Sequence, residues 1–112
     1  MMNKQEVQER IQNELTKAEE ARRIGNDGMA RVCARRAAGA AITYWLAFHP
    51  RPEWGIDAMS QLRDLQQDGS MPEVVRDAAL RLTTKITDQF TSPFSTDPIE
   101  DSKIIIDYLQ KA

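Results

Sequence analysis

The chain of 112 residues has one cysteine and one histidine, and each scarcity excludes a class of chemistry. Cys33 has no second thiol to pair with, which excludes an internal disulfide and a metal site built from several cysteines. His49 is equally alone, which excludes a histidine-based metal site and the paired Glu-x-x-His motifs of di-iron bundles. No glycine-rich phosphate loop is present either. The sequence therefore predicts no cofactor, no metal and no complete catalytic constellation.

Long hydrophobic runs are also missing. The longest, residues 37–48, is too short to cross a bilayer, and the N-terminal stretch MMNKQEVQERIQNEL lacks the apolar core of a signal peptide. We therefore expect a cytoplasmic protein with no membrane partner. The 41% hydrophobic and 29% charged residues are typical of a globular protein, and 112 residues is the size of one domain. The prediction is a single domain over residues 1–112.

The chain has little excess of charge of either sign, but its charges are unevenly distributed along the sequence. The formal net charge of −2 gives the chain no general attraction for nucleic acid. Residues 22–36, however, hold five arginines and one acid, a balance of +4, whereas residues 95–112 hold four acids and two lysines, a balance of −2. This asymmetry predicts that basic and acidic parts face each other, within the fold or across a dimer. The alternative is a basic patch that binds a ligand.

What the sequence does contain is helical periodicity. Apolar residues recur at intervals of three and four in five segments, and no segment alternates as a strand would. The predicted helices span residues 4–24, 29–48, 54–67, 72–90 and 98–109. The second is rich in alanine and apolar on most sides, so we expect the others to surround it, with Gly39 allowing close approach. Short connections complete the prediction, an all-α up-and-down bundle of four to five helices.

Polar residues mark the predicted helix starts. Asp27 is the expected cap of the second helix, Ser70 and Glu73 form the expected capping box of the fourth, and Asp97 is the expected cap of the last. Ile56 is placed on the inner side of the third helix by its spacing. The cap residues predict where the second, fourth and last helices begin.

Several residues are of types that can take part in catalysis or binding, but a structural role explains their positions better. Cys33, between Val32 and Ala34, fits a small buried side chain. His49 follows the central helix, where a capping or exposed imidazole is expected. Four aromatic residues predict a core cluster at the corner between the second and third helices, in preference to a base-stacking surface. They are Tyr44, Trp45, Phe48 and Trp54.

Three arginines of the central helix carry the sharpest functional hypothesis. Arg31 and Arg35 share a face, and Arg36 is rotated by about 100° from Arg35. One interpretation is a structural ion-pair network, because an unpaired buried charge is strongly destabilising. The other is a site at which Arg31, Arg35 and Arg36 bind the phosphate of a nucleotide or RNA. The candidate carboxylates for the network are Glu14, Glu20, Asp101 and Asp107.

The segment GNDGMARVCARRAAGAAI, preceded by AEEARRI and followed by a chain end with DPIEDSKIIIDYL, resembles small bacterial proteins of the HEPN superfamily. The resemblance implies a four- or five-helix bundle that is usually a homodimer. It also implies one of three roles: an RNA-cleaving toxin, a partner of a small nucleotidyltransferase, or a non-catalytic RNA- or nucleotide-associated module. Catalytic members carry an arginine, an adjacent polar residue and a histidine four to six residues on. Here Arg36 is the nearest arginine before His49 and lies thirteen residues back, so no nuclease residue carries over.

Together these observations predict a non-catalytic helical interaction module that forms a homodimer. The alternative is an RNA- or nucleotide-associated protein of the toxin–antitoxin type that uses the central-helix arginines. A small nucleotidyltransferase is a further partner that the resemblance implies.

Overall fold

The computed structural model describes residues 2–84 and 97–111, and this part of the chain contains five α-helices and no strand. The predicted all-α bundle is confirmed. Residues 85–90 of the predicted fourth helix lie outside the described residues. The helices are α1 (Lys4–Arg23), α2 (Asp27–Leu46), α3 (Ala58–Gln67), α4 (Glu73–Thr83) and α5 (Pro98–Lys111).

Local capping explains where α1 and α2 begin. The Asn3 side chain accepts the backbone N–H of Glu6 at 2.9 Å, and the Glu6 carboxylate accepts the backbone N–H of Asn3. After α1 the chain turns at Gly25, whose φ of 83° lies in the left-handed region that favours glycine. Asn26 then caps α2 by accepting the backbone N–H of Met29 at 3.1 Å. The prediction of Asp27 as the cap is wrong, because Asp27 is already the first helical residue.

The central position of α2 is confirmed, since α1, α3 and α5 all pack against it. The Ser102 hydroxyl of α5 donates to the Ala34 carbonyl at 2.8 Å, and Arg31 reaches the end of α4. The start of α2 therefore lies beside the start of α5 and the end of α4. Helices α1, α2, α4 and α5 alternate in direction, and the short α3 packs on α2 and α4.

Small residues allow this packing. Five alanines of α2 are buried, at positions 30, 34, 37, 38 and 41, and Ala40 is partly buried beside them. At Gly39 an added Cβ would lie 2.8 Å from the Ala58 Cβ, so a side chain there would collide with the first turn of α3. The close approach expected at Gly39 is confirmed.

Two further predictions, the start of the third helix and the capping box of the fourth, are also wrong. The third helix begins at Ala58, because the Asp57 carboxylate caps it by accepting the Ser60 backbone N–H at 2.9 Å. Ile56 therefore precedes the helix and is 93% exposed instead of facing inward. The capping box of α4 is absent, since Pro72 occupies the cap position without a side-chain hydrogen bond.

The Ser70 hydroxyl, which was expected to cap α4, instead donates to Asp68 at 2.6 Å. Asp97 fulfils its prediction at the start of α5, because its carboxylate accepts the Ile99 backbone N–H at 2.8 Å.

Candidate functional site

Two of the three central-helix arginines hold the end of α4. The Arg31 guanidinium donates to the carbonyl oxygens of Arg81 and Thr84, the latter at 2.8 Å, and Arg35 Nε donates to the Leu82 carbonyl at 2.6 Å. The last carbonyls of a helix lack intrahelical donors, so these cations supply the missing partners. Arg31 is only 8% exposed and Arg35 is partly buried. Both side chains therefore have a structural role, which is to bind the end of α4.

The electrostatics of this region follow from burial. Burial lowers the pKa of Arg31, and the negative charge of Asp101 opposes that change. Burial also lowers the pKa of Arg35, helped by the positive charges of Arg31 and Arg63. An arginine so perturbed still carries its charge at neutral pH.

Three of the four predicted carboxylates have partners among the described residues, and each partner is different. Asp101 is 1% exposed, accepts Arg81 Nε at 2.9 Å and acts on Arg31 through its charge. Glu14 lies 3.6 Å from Lys17, and Glu20 pairs with Arg23. Asp107 is exposed on α5. The network around Arg31 thus consists mainly of backbone carbonyls, with Asp101 acting from a neighbouring ion pair.

The basic and acidic segments of the chain do meet within the fold. Arg22, at the end of α1, pairs with Asp97 at the start of α5. Lys103 and Glu19 form a second contact between the same helices at 3.7 Å. The Arg22–Asp97 pair joins the basic and acidic segments without a second molecule, whereas the Lys103–Glu19 pair has the opposite polarity and lies partly outside them.

Arg36 has a different environment and lines a cavity of about 620 Å³ between α1, α2 and the start of α3. Arg10 of α1 lines the same cavity. Both arginines are exposed, and neither has a carboxylate within 4 Å among residues 2–84 and 97–111. The remaining lining residues are Met2, Val7, Gly39, Ala40, Thr43, Tyr44, Ile56, Asp57, Ala58 and Gln61.

Arg10 is not among the site residues predicted from the sequence, although its position in α1 indicates that it lies near the core. Arg10 follows Val7 by three residues and precedes Ile11, and both of these apolar residues are buried. A side chain at this position borders the buried stripe of α1. Arg10 therefore lies near α2 and not on the outer face of the bundle.

The predicted aromatic cluster forms only in part. Trp45 is buried, and its ring centroid lies 6.1 Å from that of the partly buried Trp54. Phe48, however, is 62% exposed, because α2 ends at Leu46 and the chain turns away from the helix. Its ring contacts Tyr44 with centroids 5.3 Å apart.

Phe48 belongs to a patch that we name the apolar end face, formed by Met2, Tyr44, Phe48 and Ile56. Tyr44 connects the patch, because it lines the large cavity with Met2 and Ile56 and contacts Phe48 on its other side. Met2 is 37% exposed, and Phe48 and Ile56 are more so. Single exposed apolar residues are ordinary, whereas a group of them indicates a binding surface.

Cys33 and His49 do not form a catalytic pair. Cys33 is buried, as predicted, and lies about 20 Å along α2 from the end of that helix. His49 is exposed, as predicted, and its ring stacks on Trp45 with centroids 4.5 Å apart. The described residues contain no group of three or more acidic, histidine or cysteine side chains that could hold a metal ion. Within the same ranges, no helix has the length and apolar character needed to cross a membrane.

Comparisons with known proteins give no relative. No family model matches the chain, and no curated protein or solved structure is significantly similar to it.

Proposed function

We propose that the protein is a non-catalytic HEPN-type interaction module of the cytoplasm that forms a homodimer through the apolar end face. The observation that carries the proposal is a continuous set of apolar side chains, in which Met2 and Ile56 line the same cavity as Tyr44 and Tyr44 contacts the exposed Phe48. The segment around the central-helix arginines, which resembles HEPN proteins, and the alternating helices are consistent with it. A second copy is the simplest occupant, because one face can then cover an identical face.

The energetics favour covering this face. Ile56 is 93% exposed and Phe48 is 62% exposed, so apolar surface of each side chain is removed from water when a partner covers it. Burying a side chain of this size contributes about 1.5–3 kcal/mol. Aromatic residues at the centre of an interface often contribute the most.

The test is the mass in solution, measured by sedimentation across protein concentrations. The wild-type protein should approach twice the 12.7 kDa of one chain. Ile56→Glu should dissociate the dimer, because a carboxylate would be buried in the interface. It should not unfold the chain, since Ile56 makes little contact within the bundle.

Ile24→Glu is the matched control. Ile24 is 70% exposed but follows the C-terminal end of α1, about 30 Å along that helix from Lys4. A wild-type protein that stays monomeric at every concentration would overturn the proposal. Equal dissociation by both variants would also contradict it, since the effect would then not belong to the apolar end face. Co-purification with a small nucleotidyltransferase in place of a second copy would point to a hetero-complex.

A second candidate function is association with a nucleotide or RNA. The observation that favours it is Arg36, which is exposed, lacks an ion pair in the described ranges and lines the large cavity. Arg31 and Arg35 are less available to a ligand, because each donates hydrogen bonds to carbonyls at the end of α4. Adenosine monophosphate or a short RNA should raise the melting temperature, and Arg36→Gln should abolish the increase. Arg63→Gln, an exposed arginine outside the cavity, is the control. No shift with either ligand would refute this candidate.

A further inference from the structure

We infer that the cavity between α1, α2 and α3 binds a small amphiphilic anion, a carboxylate with an apolar body. Arg10 and Arg36 would hold the carboxylate, and the body would lie along α2 towards Tyr44. The volume of about 620 Å³ falls within the range of small-molecule sites. Because Tyr44 and Ile56 line the cavity and also belong to the apolar end face, we expect the ligand to bind the monomer and to compete with the homodimer.

The cavity has a charged end and an apolar end. Arg36 and Tyr44 are eight residues apart on α2, which corresponds to about 12 Å along the helix axis. Since α1 runs in the opposite direction, Arg10 comes before Val7 and Met2 along the same path. A simple inorganic anion would occupy only the charged end. A ligand that fills the cavity must carry its charge at one end and apolar surface at the other.

The balance of charge favours one negative charge on the ligand. Two guanidiniums line the cavity, and each can donate two parallel hydrogen bonds to a carboxylate. Asp57 also lines it, and hydrogen bonds from the Ser60 hydroxyl and backbone lower the pKa of Asp57, so that it is ionised at neutral pH. The lining therefore carries a net charge of +1. A monoanionic carboxylate matches that charge better than a dianionic phosphate.

The polar groups at the base of the cavity need nothing from the ligand. The Gln61 amide and the Thr43 hydroxyl bond to each other, with distances of 3.1 and 3.3 Å. Gln61 is 3% exposed. Because these groups are paired, an apolar chain can lie beside them without leaving a buried donor unsatisfied. The same chain would cover part of Ile56, which is almost fully exposed.

The test is calorimetric titration with sodium decanoate below its critical micelle concentration, at a protein concentration whose solution mass is known. The wild-type protein should bind decanoate and not decyltrimethylammonium, which has the same chain with a positive head. Arg10→Gln with Arg36→Gln should weaken binding by about tenfold or more. Arg63→Gln removes one positive charge outside the cavity and should leave binding unchanged.

Two further variants separate charge from shape. Asp57→Asn keeps a good helix cap and removes the one acid of the lining, so decanoate should bind roughly threefold more tightly. Ala40→Leu should narrow the cavity and weaken binding without changing its charge. Absence of decanoate binding, or equal binding of the two surfactants, would overturn the inference. Binding of adenosine monophosphate without binding of decanoate would also overturn the inference, and it would support the nucleotide candidate. The solution mass tests the homodimer separately.

Discussion

Replacing Arg31 by methionine tests whether the central-helix arginines hold the bundle together. Methionine retains an apolar stem of similar length and removes only the guanidinium. The hydrogen bonds to the carbonyls of Arg81 and Thr84 are lost with it. The matched control is Arg36→Met, on the same helix, because Arg36 is exposed and has no ion pair in the described part of the chain.

The magnitude follows from two opposing contributions. A hydrogen bond from a charged donor contributes about 1.5–3 kcal/mol, and Arg31 makes two. Against this, the side chain is 8% exposed, and its Nε atom is buried with no hydrogen-bond partner among the described residues. Part of the gain is therefore offset by the cost of removing the cation from water. We expect a net loss of about 2–3 kcal/mol in the free energy of unfolding.

Urea unfolding followed by circular dichroism at the helix band measures this loss. For a chain of this size the midpoint should fall by roughly 1.5–2 M urea. Arg36→Met should change the free energy of unfolding by less than about 0.5 kcal/mol. If Arg31→Met is as stable as the wild type, or more stable, the desolvation cost outweighs the hydrogen bonds and the structural role is refuted.

Two further predictions concern stability at other sites. Gly39→Ala should lower the free energy of unfolding by about 1–3 kcal/mol, because the new Cβ would lie 2.8 Å from the Cβ of Ala58. Gly28→Ala is the control, since its new Cβ meets no comparable contact and should not destabilise the protein. Equal thermal unfolding of the two alanine variants would contradict the close packing of α3 on α2. Hydrogen bonds from Ser70 lower the pKa of Asp68 from its usual value. The contribution of the ionised carboxylate to the free energy of unfolding is therefore present above about pH 4 and is lost as the pH falls. The urea midpoint of Asp68→Asn should therefore differ most from the wild type at neutral pH and converge with it as the pH falls through the lowered pKa, and a difference independent of pH would refute the assignment.

The parts of the fold that sequence predicts well depend on local periodicity. The apolar stripe of α1 and the alanines of α2 identify buried faces because helical spacing repeats within a few residues. The sequence predicts helix starts less well, because neighbouring polar residues compete for the same cap. Asn26 caps α2 in place of the adjacent Asp27, and Ser70 bonds to Asp68 in place of α4. Spacing alone does not distinguish these alternatives.

The sequence by itself determined the helices, the central place of α2 and the scarcity of catalytic residue types. It also identified the cluster of Arg31, Arg35 and Arg36, but as three similar charges. Only the tertiary structure separates them, because the end of α4 approaches one side of α2 and supplies carbonyl oxygens to Arg31 and Arg35. Arg36 points to the other side, where Arg10 joins it at the cavity. The physical reason is that periodicity places a residue on a helix face, whereas its partner comes from a segment distant in sequence.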